Sequence, residues 1–283
     1  MEDKRQGILY LCATPIGNLS DISERVLDTL RNVDLIAAED TRNSIKLLNH
    51  FGIKTPMTSY HEYNRYDKAY DLIEKLREGK DIALITDAGT PGISDPGEVM
   101  TQMCIKEGIR VTSLPGPCAL ITALTMSGLK TGRFVFEAFL PADKKERREI
   151  LKELENETRT IIIYEAPHHL KKTLSELRES LGNRRIALCR ELTKQFEEVM
   201  NLMMDEAIEY YSVNDPRGEY VLCIEGRDRN ELKRDEEKKW QETDLSEHMK
   251  LYEDEGYDKK EAMKLVARDR GIKKSDVYKA LLN

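Results

Sequence analysis

The chain reads as an α/β protein of two domains with a small helical carboxyl-terminal extension, and three observations predict it. Short apolar runs alternate with segments of helical period through the first half. Loops rich in glycine, proline and polar residues follow five of those runs in turn. After Gly226 the composition shifts abruptly to charged residues. At 283 residues the chain has length for about two domains, each with its own core.

Residues 8–13 form the first apolar run and end in Thr14-Pro-Ile-Gly-Asn18. Asp21-Ile-Ser-Glu24 has the form of a capping box, and Ile22, Val26, Leu27 and Leu30 follow at helical spacing. A buried strand is predicted over 33–38, a short helix over 44–50 closed by Gly52, and a third strand over 57–60. A helix burying Ala69, Leu72, Ile73 and Leu76 stops at Gly79. Strands over 81–86 and 110–114 bracket a helix over 99–107, and 119–126 is an apolar helix. Strands joined by helices of this length need crossover connections, so this half should build a mostly parallel sheet with helices on both faces. Residues 134–139 read as one more strand before a boundary at Pro141, ending a first domain at 1–140. A second domain, 141–228, offers strands over 160–164, 185–190 and 220–225 with helices over 168–181 and 205–211. Residues 229–283 are left as a charged linker and a small helical module.

Composition narrows the function. The chain is 40% hydrophobic and 34% charged, with no apolar run long enough for a transmembrane helix. Its first six residues, Met1 to Gln6, are too polar for a signal peptide, so a cytoplasmic protein without membrane attachment is expected. Five scattered cysteines, Cys12, Cys104, Cys118, Cys189 and Cys223, never form Cys-x-x-Cys and read as reduced thiols rather than disulfides or zinc ligands. The net charge of −7 argues against a general nucleic-acid coat, although a local basic patch can dominate one face. Two such patches stand out: Lys144, Lys145, Arg147 and Arg148, and the last 24 residues, which follow an acidic stretch.

Ligands of open parallel sheets bind outside the carboxyl ends of the strands, and the unusual residues collect there. The loop Asp87-Ala-Gly-Thr-Pro-Gly-Ile-Ser-Asp-Pro-Gly97 is the most telling, because its glycines let bare backbone approach a ligand. No loop has the ending of a P-loop and none matches Gly-x-Gly-x-x-Gly, which disfavours nucleoside triphosphates and dinucleotides. A neutral or zwitterionic ligand with a flat heterocycle suits such a loop better. No metal is expected: His168-His169 lacks a paired motif, and His50, His168 and His248 take structural readings.

Ala13-Thr-Pro-Ile-Gly-Asn-Leu-Ser-Asp21, Ala38-Glu-Asp-Thr-Arg42, Ser59-Tyr-His-Glu62, residues 87–97 and Leu114-Pro-Gly-Pro117 resemble the signature blocks of the small-subunit ribosomal RNA cytidine-2′-O-methyltransferases of the tetrapyrrole methylase superfamily. The likeness runs in order over about residues 7–226 and on into the tail. It implies two α/β domains with S-adenosylmethionine between them, usually in a homodimer, and methylation of a cytidine ribose 2′-hydroxyl in the decoding region of 16S RNA in the small ribosomal subunit. Carried over residue by residue, the donor site comprises Thr14 and Pro15, then Asp87, Ala88, Gly89, Thr90, Ile93 and Ser94, then Pro115, Gly116, Cys118 and Ala119, and finally Tyr164 and Glu165. Corrin and porphyrin methylases usually have Gly-Asp-Pro where this chain has Gly89-Thr90-Pro91, and often Ser or Thr near Cys118. Backbone contacts are therefore the ones to expect at 90 and 118.

Methyl transfer from a sulfonium needs alignment first, and a base to take the ribose proton helps. Asp40, His61 and Glu62 are the catalytic candidates at the strand ends, with Asp87 as a further carboxylate. Asp40 could instead cap the following helix or pair with Arg42; His61 and Glu62 divide between substrate contact and loop solvation; Asp87 could be held by loop amides. Arg42 suits an RNA phosphate. In the tail, 258–270 reads as a helix with Met263, Val266 and Ala267 on its apolar side. Gly271 ends it, and Ser275 can cap a last helix holding Val277 and Leu281. Lys260, Lys264 and Arg268 share one face, with Lys273 and Lys274 in the turn, as a grip on RNA backbone or a solvated face. Two rival functions remain: a methylase of a tetrapyrrole carbon, and a non-catalytic RNA-binding assembly factor.

Overall fold

Two five-stranded sheets carry the chain in a computed structural model that describes residues 5–281, apart from the side chains of Glu236 and Gln241. The first four residues of the polar start and the last two of the basic tail lie outside the described residues.

The first sheet comprises β1 (Ile8–Cys12), β2 (Leu35–Ala38), β3 (Met57–Ser59), β4 (Ile82–Ile85) and β5 (Arg110–Leu114). Its order is β3-β2-β4-β1-β5, and every pair is parallel. The crossovers are α1 (Glu24–Asn32), α2 (Thr41–His50), α3 (Arg65–Arg77) and α4 (Gly97–Lys106). Alternation along β4 sorts the faces. Ile82 and Leu84 pack with Leu72, Leu76 and Met100 of α3 and α4, while Ala83 and Ile85 pack with Val26, Leu30 and Leu48 of α1 and α2. The parallel sheet covered on both faces is therefore present as expected. Helix α1 starts later than the capping-box reading implies: Ser23 is its N-cap and accepts the Val26 N–H at 3.2 Å, while Asp21 ends a preceding 3-10 turn.

After α5 (Ala119–Met126), the second sheet comprises β6 (Phe134–Phe139), β7 (Thr160–Glu165), β8 (Arg185–Arg190), β9 (Glu198–Met203) and β10 (Tyr220–Ile224). Its order is β6-β7-β10-β8-β9. Only β6 and β7 pair in parallel; β10 runs against both of its neighbours. Helices α6 (Lys144–Leu154), α7 (Pro167–Leu181) and α8 (Met204–Val213) cover one face.

The boundary at 140 does not hold for two elements. Strand β6 hydrogen-bonds to β7, and α5 buries Leu120, Ala123 and Leu124 against Ile162, Ala187, Cys189 and Cys223 of the second sheet. The chain changes sheets at the turn after β5, because an apolar helix follows its burial partners rather than its sequence neighbours. The basic patch on α6 also changes meaning. Arg147 is buried, with Nε on Glu176 at 2.6 Å and Nη2 on the Thr173 hydroxyl at 2.7 Å, so it ties α6 to α7.

The tail is helical: α9 (Arg229–Glu242), α10 (Leu245–Asp254), α11 (Lys259–Asp269) and α12 (Lys274–Ala280). It has a core of its own in Met249, Ala262, Val266, Ala267 and Val277. Trp240 stacks on the buried His248 ring at 3.9 Å, and Arg270 donates to His248 Nδ1 at 3.2 Å. Met263 is only half-buried, with Ala262 taking the central place. Lys273, not Ser275, occupies the N-cap of α12, and Ser275 turns to Asp276 instead.

Candidate functional site

The carboxyl end of the first sheet faces one edge of the second across a cleft of about 530 Å³. The glycine-rich loop after β4 forms one wall. It is stapled internally: the Asp95 carboxylate accepts the N–H of Gly92 at 2.9 Å, of Ile93 at 3.2 Å and of Gly97 at 2.7 Å. It is tied to the loop after β1 by a two-way backbone pair between Thr14 and Gly89, at 2.9 and 3.1 Å. The Thr90 hydroxyl then donates to the Pro117 carbonyl at 2.9 Å, which brings in the turn after β5. Strand β1 lies between β4 and β5, so these loops meet by reaching across it.

Gly89 is required here. Its φ is +87°, a region where a Cβ is strained, and it lines the cleft with open backbone. Gly116 serves packing instead, since a Cβ there would stand 2.7 Å from the Ala13 Cβ.

Of the residues carried over as donor contacts, Asp87, Ala88, Gly89, Thr90, Ile93, Ser94, Cys118, Ala119, Tyr164 and Glu165 line the cleft. Thr14, Pro15, Pro115 and Gly116 are not among its lining residues. Tyr164 accepts the Leu120 N–H at 3.2 Å, and burial pushes its phenol up to about 12. Glu165 is buried, accepts the Ala166 N–H at 2.8 Å and takes the Thr173 hydroxyl on its other oxygen, so it braces the start of α7.

The three catalytic candidates fall outside the cleft lining. Asp40 is the N-cap of α2 and accepts the Arg42 N–H at 2.8 Å, Nε at 3.1 Å and Nη2 at 2.8 Å. Those bonds hold its carboxyl down at about 2. Both structural alternatives for Asp40 are thus realised together, and Arg42 is engaged by it while remaining 88% exposed. His61 opens a 3-10 turn, with a buried Nδ1 that has no partner among the described residues. Glu62 pairs with Arg65. Asp87 accepts the Asp40 N–H at 3.2 Å and the Asn43 side chain at 3.3 Å, which joins the loops after β2 and β4.

Glu39, one residue before Asp40, does line the cleft. Burial raises its carboxyl, and the Asp87, Asp95 and Asp40 carboxylates add to this, opposed by the Asp87 N–H at 3.4 Å. A carboxylate so perturbed in a cleft is suited to taking a proton.

Of the opposite wall, the sequence reading found only Tyr164 and Glu165 at the end of β7 and missed the rest. It is built from Glu191, Leu192 and Lys194 after β8 and from Glu219 and Tyr220 at the start of β10. Four non-glycine residues among those described have left-handed backbone: Ser94, Ala138, Glu191 and Thr193, with φ from 50 to 63°. Ser94 and Glu191 line the cleft, and the other two adjoin the lining residues Phe139, Leu192 and Lys194. Each such residue costs about 1–3 kcal/mol, and such strain gathers at functional sites. A larger open groove of about 1350 Å³ lies at the far end of the second sheet. Three of its six guanidinium groups are occupied: Arg159 with Glu157, Arg227 with Asp235, and Arg184 with backbone carbonyls. None of the four left-handed non-glycine residues lines it, so the cleft between the sheets is the stronger candidate site.

Comparison with known proteins agrees with this geometry. The profile of the Tetrapyrrole (Corrin/Porphyrin) Methylases matches residues 8–207. The ribosomal RNA small subunit methyltransferase I of Halalkalibacterium halodurans is 47% identical over 273 residues, covering 96% of this chain and 94% of its own length. That of Bacillus subtilis is 46% identical over 275 residues, covering 97% and 94%. Among solved structures, the uroporphyrin-III-C-methyltransferase of Thermus thermophilus superposes with a TM-score of 0.55 at 17% identity, over 77% of this chain and 94% of its own, which speaks to the fold.

Proposed function

Because the chain belongs to the tetrapyrrole (corrin/porphyrin) methylase family and is a methyltransferase, we propose that it methylates the ribose 2′-hydroxyl of a cytidine in 16S ribosomal RNA. S-adenosylmethionine is the methyl donor. The observation that carries the reading is the cleft itself, where backbone-rich loops of one sheet face an edge of the other and both sides contribute carboxylates.

The residues present fit that donor. Glu39, Asp87, Asp95, Glu165, Glu191 and Glu219 give the lining a negative balance, which favours a sulfonium and an ammonium. Ile16, Ile93, Ala119, Phe139 and Leu192 offer apolar surface for a heterocycle. The donor brings an activated methyl group, so the chain has to supply alignment, shelter from water and a destination for the hydroxyl proton. The backbone from Ala88 to Ser94, with Cys118, Ala119 and Tyr164, would hold the donor. Glu39 would take the proton as the ribose oxygen attacks. The exposed cations Lys260, Lys264 and Lys273 of the tail would hold RNA phosphates outside the acidic cleft. The same reading has the enzyme working as a homodimer in the cytoplasm, where the small subunit is assembled.

The test is to incubate purified protein with labelled donor and 16S RNA or small subunits, then map 2′-O-methylation at nucleotide resolution. A single methylated cytidine is expected. A label on a base, on a tetrapyrrole, or nowhere despite tight RNA binding would each overturn the reading.

A further inference from the structure

Lys194 is the only Lys, Arg or His among the described residues that line the cleft. Its ammonium is held by Glu191 Oε1 at 2.9 Å and Glu219 Oε2 at 2.8 Å. Burial works against its charge, but the bonds to Glu219 and Glu191 outweigh it, so the group stays protonated.

Considerable structure is committed to placing this side chain. Glu191 and Thr193 on either side of Leu192 are both left-handed. Glu191 also accepts the Glu219 N–H at 2.9 Å and packs on Gly218, where a Cβ would stand 2.4 Å from its Cγ. From the first sheet, Gly17 presses against the same loop, since a Cβ there would stand 2.4 Å from Lys194 Cγ. The Asn18 N–H donates to the Thr193 hydroxyl at 3.1 Å across the two sheets. An ordinary surface ion pair needs none of this.

An ammonium has three N–H bonds, and two are engaged. We propose that the third N–H of Lys194 is the cleft's donor to the acceptor nucleotide, placed on the ribose oxygen that receives the methyl group. This rests on the methyltransferase reading above. The acceptor is favoured over the methyl donor's own carboxylate because the cluster stands at the mouth of the cleft. Its side chains are 21% exposed at Glu191, 30% at Lys194 and 81% at Glu219, whereas Glu165, on the same wall, is buried at 5%. In the transfer, the oxygen forms its bond to the methyl carbon as the carbon–sulfur bond breaks and sulfur keeps that pair. The hydroxyl proton goes to a cleft carboxylate, Glu39 on the reading above. The fixed ammonium stabilises the negative charge that builds on oxygen as the proton leaves.

The experiment compares wild type, Lys194→Met and Lys194→Arg by RNA methylation kinetics, calorimetry with S-adenosylhomocysteine and thermal melting. For Lys194→Met, kcat should fall on the order of 10²-fold, the scale of one oxyanion donor. The RNA KM should change far less, and S-adenosylhomocysteine affinity should stay within about threefold, because the donor contacts are elsewhere. Lys194→Arg, which keeps the charge and the donors, should recover most of the lost kcat. An unchanged kcat in Lys194→Met overturns the proposal. So does a fall in S-adenosylhomocysteine affinity that spares 5′-methylthioadenosine, which lacks the carboxylate, since that assigns Lys194 to the methyl donor. A kcat loss accompanied by lowered Tm and equally lost affinity for both compounds also overturns it, as a purely structural role. If wild type itself transfers no methyl to RNA, the functional reading fails instead, and the two failures are told apart.

Discussion

The two walls of the cleft follow opposite rules. The first is the carboxyl edge of a parallel sheet, where each ligand loop follows its strand in sequence: 14–18 after β1, Glu39 after β2 and 87–97 after β4. The second belongs to a mixed sheet. There β7 and β8 offer their ends, at Glu165 and Glu191, but β10 runs the other way and offers its beginning, Glu219 and Tyr220. The walls differ in chemistry too: both carry carboxylates, but the open glycine backbone belongs to the first and Lys194, the one cation among the described lining residues, to the second. Strand direction alone therefore locates half of such a site; the other half is located by pairing.

The largest effect is expected where the first wall depends on missing side chains. Gly89→Val puts a β-branched residue at φ +87° and fills space that lines the cleft. The backbone strain should cost about 1–2 kcal/mol, which a cooperative fold tolerates. Nothing closer than Ile16 Cγ2, at 3.4 Å, meets the new Cβ. S-adenosylhomocysteine affinity should drop beyond detection in calorimetry while the melting transition stays single. Retained affinity would mean that the backbone wall does not hold the donor, and the contrast between the walls would collapse.

Next in size is Glu39→Gln, which keeps shape and removes the proton acceptor. A positioned base contributes about 10²–10⁴-fold, so a kcat loss of at least the lower figure is expected with donor and RNA affinity kept. Because burial and three neighbouring carboxylates raise the Glu39 carboxyl, wild-type kcat should decline on its acid side at a higher pH than an ordinary glutamate would give. The acid limb should vanish in the variant. A variant with the same limb would remove Glu39 from the chemistry.

These two residues also mark what was legible in the sequence. The parallel half was readable because its strands are short apolar runs between helical segments, and because the glycine-rich loop has a composition no helix or strand tolerates. The loop after β8 carries no such signature: Glu191-Leu-Thr-Lys194 looks like an ordinary polar turn, and its left-handed backbone at Glu191 and Thr193 is invisible without coordinates. Strand β9 was missed for a related reason, being a half-exposed edge strand whose Met and Asn residues give weak alternation. Glu39 was passed over for Asp40, one residue away. Which of two adjacent carboxylates faces a cleft depends on where the strand ends and the helix cap begins.

A smaller effect is expected from the tail, which neither wall needs in order to bind the donor. Lys260, Lys264 and Lys273 are exposed and Lys274 partly so, with no ion-pair partner among the described residues, whereas Arg268 is engaged by Asp269. Replacing the four lysines with glutamine should leave S-adenosylhomocysteine affinity unchanged. If all four contact phosphates, the log–log salt slope of RNA binding should flatten by about 3, at ~0.7 per contact for single strands. An identical slope would leave these lysines as a solvated face.

The smallest effect is reserved for Asp40, where a helix cap and a proton acceptor compete as descriptions of one carboxylate. Its oxygens are taken up by the Arg42 N–H, Nε and Nη2, and it stands outside the cleft lining. A carboxyl held at about 2 by the Arg42 side chain and backbone is ionised throughout the assay range, and a base that weak takes a proton poorly. Asparagine caps a helix about as well as aspartate, so Asp40→Asn should keep kcat within about threefold of wild type. Stability then separates the variants by pH. A depressed carboxyl stabilises the fold above its unfolded value near ~3.9, and that contribution is lost as pH falls through the folded value. The wild-type advantage in Tm should therefore be present at pH 5–7, shrink below about 4 and disappear below about 2, and it should weaken with added salt because Arg42 is exposed. A hundredfold loss of kcat in Asp40→Asn, with both ligands still bound, would return the base to Asp40 and reduce Glu39 to a bystander of the same loop.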